Sequence, residues 1–222
     1  MRETAQGVSL RRNSAGPSAD RERALHLSGK GPVAGIDEAG RGALAGPVVA
    51  AAVVDTWDTY REWHDKVRDS KQLSAAERSS LYECITADCS SFGVGIVSSQ
   101  DIDVTGIVAA TRRAMYEAVD SLSIRPGFVL VDWVTLSRFG GKHEALPKGD
   151  CRCLSIACAS IVAKVTRDRL MEEMDTTHPG YGFARHKGYG TASHLRELEA
   201  HGVSPIHRVS FRPVRVIVRS LI

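Results

Sequence analysis

No stretch of the 222 residues approaches the roughly 18 consecutive apolar positions that span a bilayer, and no apolar core follows the first charged residues. A membrane span and a secretory signal are therefore not expected, and the cytoplasm is the expected compartment. Cysteine is sparse and odd in number: Cys84, Cys89, Cys151, Cys153 and Cys158. Their irregular spacing speaks against a disulfide-built fold. Cys151-Arg-Cys153 has no second Cys/His pair at zinc-like spacing, so small buried thiols are the better reading. No internal repeat is visible. A GxGxxG loop is also missing. Gly40-Arg41-Gly42 with Gly46 has the wrong spacing and follows two acids that would repel a bare phosphate, which argues against a dinucleotide cofactor.

A strong overall charge is absent too, at a net +3, so composition alone does not point to nucleic acid. The distribution says more. Residues 1–30 carry six Arg/Lys against three Asp/Glu, which is the whole excess. They show little apolar periodicity and read as a disordered tail. Residues 31–222 then form one domain with a basic C-terminal helical part. In residues 185–222, seven Arg/Lys stand against Glu197 and Glu199. Such a surface either contacts phosphates or is simply solvated.

Two apolar runs, Pro32–Ile36 and Gly46–Val54, flank a Gly-rich link and read as paired strands. Ser74 with Glu77 is a capping box that opens a helix of about a dozen residues. Ser91–Ser98 alternates as a third strand, and Asp101 opens one long helix to about Leu122. Phe128–Val131 is a buried-type strand ending at Asp132, followed by a loop of about 15 residues to Lys148. A second long helix runs from Ser155 to about Met174, and a third starts near Thr191. The order predicts an α/β fold with a mixed central sheet flanked by helices and a C-terminal helical segment.

Chemistry concentrates in acids at strand ends. Asp37-Glu38 and Asp132 each follow an apolar strand, where sites of open α/β sheets form. Asp150, in a Gly-containing loop, can join them. Clustered acids repel unless a cation neutralises them, and hard oxygen donors suit Mg²⁺ or Mn²⁺. A pair of such ions activates water and stabilises the leaving oxygen of a phosphodiester. Neighbouring strand residues face opposite ways. Asp37 and Glu38 therefore share a site only if the backbone kinks or one acts through its carbonyl. Gly40–Gly42 either brings backbone amides close to a sugar or phosphate, with Arg41 gripping it, or is a tight turn. Ser160, Lys164 and Asp168 share a helical face, which leaves open a Ser/Lys nucleophilic pair or a plain ion pair. His194 and His201 read as packing or surface groups.

The segment Gly35-Ile-Asp-Glu-Ala-Gly-Arg-Gly42 with Leu44–Val48 resembles the first signature of type 2 ribonucleases H, the ribonuclease HII family. Asp69–Leu73, Val129–Asp132, Lys148–Asp150, Ala159–Asp168, His186–Thr191 and His207–Phe211 are similar to its later motifs, in the family's order, over roughly residues 31–215. The resemblance implies a ribonuclease H-like fold and Asp37, Glu38, Asp132 and Asp150 as catalytic metal ligands for Mg²⁺ or Mn²⁺. It implies cleavage of the RNA strand of RNA/DNA hybrids, leaving 3′-hydroxyl and 5′-phosphate ends. It also implies nicking 5′ of single ribonucleotides in duplex DNA, the opening step of ribonucleotide excision repair. Gly40, Arg41 and Gly42 would sense the 2′-hydroxyl, and Tyr189 would stack on the neighbouring deoxyribose. Lys71, Ser160 and Lys187 complete the implied substrate contacts, and the expected enzyme is a monomer. Trp133 stands where the family has glycine, and Gly106 where it has asparagine. A hybrid-binding module without turnover is a rival that the four intact acids argue against. Another metal phosphotransferase is a second rival, disfavoured by the Gly-Arg-Gly and Lys-Gly-Tyr motifs.

Overall fold

A computed structural model describes residues 16–220. Strand β1 (Val33–Ala39), β2 (Val48–Asp55) and β3 (Ser91–Val97) form an antiparallel meander. Strands β4 (Phe128–Asp132) and β5 (His143–Leu146) add on the other side in parallel, giving the order β3-β2-β1-β4-β5. β1 is central, and β2 is buried along its whole length because helices cover both faces. On one face, α2 (Ala75–Asp88) and the long α5 (Leu154–Thr177) pack with Ala51, Val53, Ile85 and Ile161 in one apolar cluster. On the other, α3 (Ser99–Thr105) and α4 (Ile107–Asp120) pack over Ile36, Ala50, Ala52 and Val131. The start of α5 lies directly on β1: a side chain at Gly35 would collide with the Ser155 backbone. Every methylene buried in such a layer stabilises it by about 0.8 kcal/mol.

Several sequence expectations hold in detail. The capping box of α2 is present in both directions, between Ser74 and Glu77. Thr191 caps the helix Ala192–His201. Others are corrected. The single helix expected from Asp101 is two, because Gly106 at φ +81° and ψ 153° leaves helical space and starts α4 anew. The long loop after Asp132 contains β5, a half-buried edge strand. The expected tail is also too long. Residues 20–25 form α1 (Asp20–Leu25), with Ala19 and Leu25 buried. Glu22 is fully buried and accepts a hydrogen bond from the Ser155 amide at 2.8 Å. Residues 1–15 lie outside the described ones.

The C-terminal third is built around buried contacts. One-turn α6 (Phe183–His186), α7 (Ala192–His201) and α8 (Arg212–Ser220) follow α5. Leu198 and Val214 close a small apolar cluster over Leu44 of the glycine loop. The basic character expected there is only partly superficial: Arg185, Arg196, Arg212, Arg215 and Arg219 are exposed, while Arg208 is buried. No helix among the described residues is long and apolar enough to cross a membrane.

Candidate active site

β1 and β4 run parallel, so both carboxyl ends open at one edge of the sheet. There Asp37, Glu38, Asp132, Ser160, Lys71, Gly40–Gly42 and Tyr189 line one cleft of about 260 Å³. β1 keeps its pairing with β2 through Ala39, so the expected kink is not needed. Asp37 lies on the α5 side and is buried. Glu38 lies on the side of Arg41 and Trp133. The cleft straddles the sheet's end and takes both. The chain turns only afterwards, at Gly40 (φ +87°), where a side chain would also strike Arg167.

The acids are poised against one another. Burial pushes the Asp37 carboxyl well above the ordinary range, and the nearby charges of Glu38 and Asp132 push it further. Burial also raises Glu38, against the lowering effect of Trp133 and Arg41. Burial raises Asp132 as well, although its Oδ1 accepts the Gly149 amide at 2.8 Å. That bond ties β4 to the short 3-10 turn Gly149–Cys151, which carries the buried Asp150. Asp150 is not among the residues that line the cleft itself. Its charge reaches Asp132 and Lys71. Lys71, though burial opposes its charge, is held above the usual ammonium range by Asp69, Asp150, Asp37 and Asp132.

A divalent metal fits this donor set. Glu38 Oε2 is buried and finds no hydrogen-bond partner among the described residues. The three raised carboxyls are like charges that only a cation or protons can reconcile. All the donors are hard oxygens. Sequence reasoning did not foresee that Asp69, Asp150 and Cys151 offer ligand atoms within 4.8 Å of one another. Asp69 precedes Lys71 in a polar turn, and nothing in its spacing signalled this approach.

The other expected site residues separate into two groups. Ser160 Oγ is 2.8 Å from Ser70 Oγ and lies against Asp37. Lys164 pairs with Asp168 at 2.7 Å, so the ion-pair reading of that face holds and the Ser/Lys nucleophile is set aside. Tyr189 is exposed at the cleft wall, with Lys164 5.6 Å above its ring. Arg41 stacks on Trp133 at 3.9 Å. Trp133 has φ +46°, which explains why glycine suits this position. Lys187, also expected to contact substrate, pairs through its ammonium with Glu172 at 2.6 Å in a pocket that it lines with Lys164 and Tyr189. Its carbonyl accepts from Arg167 at 2.8 Å.

That bond belongs to a clamp that sequence reasoning missed. Buried Arg167 also donates to Pro47 O at 2.9 Å and Ala45 O at 3.1 Å. Buried Arg208 donates to Gly46 O at 3.0 and 2.9 Å and to Arg41 O at 3.0 Å. Two guanidinium groups thus hold the glycine loop by its carbonyls. Among the described residues neither has a carboxylate within salt-bridge distance. Burial lowers both, Arg208 to about 9 with help from the Arg167 charge.

Comparison with known proteins follows the same lines. The Ribonuclease HII family profile matches residues 34–214. A Ribonuclease HII of Dehalococcoides mccartyi is 48% identical over 205 residues, covering 92% of this chain and 97% of the relative. The crystal structure of ribonuclease H2 from Pyrococcus horikoshii superposes with a TM-score of 0.75 at 29% identity, covering 85% of this chain and 97% of that one. A ribonuclease HII of Archaeoglobus fulgidus, solved as its complex with PCNA, gives 0.69 at 28% identity, covering 82% and 94%. The architecture expected from the sequence, a ribonuclease H-like mixed sheet between helices, is the fold.

Proposed function

The chain belongs to the ribonuclease HII family, and on that premise we propose how its cleft works. It hydrolyses the RNA strand of RNA/DNA hybrids and nicks duplex DNA 5′ of single embedded ribonucleotides, leaving 3′-hydroxyl and 5′-phosphate ends. The observation that carries this reading is one cleft uniting clustered, mutually raised carboxyls with the Gly40–Gly42 loop and an exposed Tyr189. Asp37, Glu38, Asp132 and Asp150 are the residues that hold divalent metal, Mg²⁺ or Mn²⁺. When bound, the metal supplies an activated water and neutralises charge on the leaving oxygen.

The chain's own groups supply the rest. Ser160 orients the Asp37 carboxyl by hydrogen bonding. Lys71 brings a positive charge to a phosphate over the acidic floor. The Gly40–Gly42 backbone, free of side-chain bulk, approaches the 2′-hydroxyl, the group that separates RNA from DNA. Tyr189 stacks on the adjoining deoxyribose, where a 2′-hydroxyl would not fit. Such a nick begins ribonucleotide removal, and we propose the cytoplasm as its compartment. We propose that the enzyme acts as a monomer. We read the catalytic domain as residues 31–222, extended backwards to include the helix at 20–25.

The test uses duplex DNA with one ribonucleotide, incubated with Mg²⁺, Mn²⁺ or EDTA. A metal-dependent nick immediately 5′ of the ribonucleotide is expected. Cleavage of long hybrids without that nick would remove the junction reading. Inactivity on both substrates with binding retained would remove the nuclease reading for this chain.

A further inference from the structure

We infer that His194 is a positioning residue for Tyr189, set in place by a fixed relay of neutral imidazoles from His207. This rests on Tyr189 being the deoxyribose platform. His194 is fully buried, and His207 and His186 nearly so. The Ser204 backbone N–H donates to His207 Nδ1 at 2.9 Å. A backbone amide can only donate, so that nitrogen carries the lone pair, and neutral His207 bears its proton on Nε2. Nε2 lies 3.0 Å from His194 Nε2, which must then accept. The remaining proton of His194 sits on Nδ1 and is donated to the Tyr189 carbonyl at 3.0 Å. His186 is fixed in the same way, accepting the Gly188 amide on Nδ1 and donating from Nε2 to Tyr181 O. Its ring stacks on His194 at 4.3 Å and prevents rotation. The chain of donors therefore has one direction, and its last member is the peptide that presents the phenol ring to the cleft. Tyr189 follows Lys187 and Gly188, both at positive φ, in a turn that needs such a hold.

Two amide replacements separate this role from packing. His194→Asn keeps a donor at the δ position; His194→Gln keeps more of the volume but moves the amide outward. His194→Gln should raise KM for the single-ribonucleotide duplex about tenfold with kcat little changed, the effect of one buried bond lost. His194→Asn should stay near wild type, and both variants should change long-hybrid cleavage less. Equal losses in both variants, or greater loss in Asn, would overturn the relay. Nitrogen-resolved NMR of the wild-type imidazoles should show a neutral Nδ1–H form for His194 and Nε2–H for His207; the opposite tautomers would also overturn it. Tyr189→Ala is measured in parallel. A loss there without any in His194→Gln defeats the relay alone. No loss in Tyr189→Ala defeats the platform reading and the relay with it.

Discussion

Asp37 carries the sharpest conflict in the molecule: a buried carboxylate beside two like charges. Its amide replacement keeps the shape and removes the charge. Asp37→Asn is therefore expected to abolish cleavage while raising metal-free stability by roughly 1 kcal/mol, since a buried like charge disappears. Turnover assays and thermal unfolding in EDTA check both halves, and a variant that is active or less stable contradicts the assignment. At this scale the acids were legible because each ends an apolar strand or sits in a Gly-containing turn. Side-chain partners were not. Lys187 faces Glu172, and Trp133 lies under Arg41, because folding joined residues distant in sequence.

Among elements, the glycine loop is the least self-sufficient. Gly40 and Gly46 both take positive φ, and the carbonyls of Arg41, Ala45, Gly46 and Pro47 find their donors in Arg167 on α5 and Arg208 before α8. An ammonium has no planar fork and reaches fewer of these carbonyls. Arg208→Lys is expected to cost about 2 kcal/mol of stability through unsatisfied buried groups. It should also raise KM on duplex substrates as the loop loosens. Urea unfolding and steady-state kinetics test this; unchanged KM would mean that the loop holds its shape alone. Helices with caps were legible, since Ser74, Glu77 and Thr191 act locally. Gly106 was misread because apolar spacing continues across it while its backbone does not. β5 was missed because its edge residues, three half-buried and then buried Leu146, show no alternation. The helix at 20–25 was missed because its anchor is a buried Glu22, contrary to the usual place of an acid.

Across the whole molecule, two sets of buried or half-buried titratable groups pull stability in opposite directions with pH. Asp37, Glu38 and Asp132 have folded-state pKa values raised by burial. Their contribution is full below the unfolded carboxyl pKa, near 4, and is lost as pH rises through the raised values. His186, His194 and His207 are lowered by burial, His207 to about 4. Their contribution is full above the unfolded histidine pKa of about 6.5 and is lost as pH falls through the folded values. Divalent metal competes with protons only at the carboxylates. The rise in Tm on adding Mg²⁺ or Mn²⁺ should therefore grow with pH and level off once the raised carboxyls are ionised. Loss of stability below pH about 6.5, on the histidine side, should persist with metal present. Asp37→Asn should shrink the metal-dependent rise at every pH without moving the acid limb. Thermal scans at matched ionic strength, with metal and with EDTA, measure all three. A metal effect that is flat with pH would place binding away from these carboxyls. Removal of the acid limb by metal would assign that limb to them and not to the buried imidazoles.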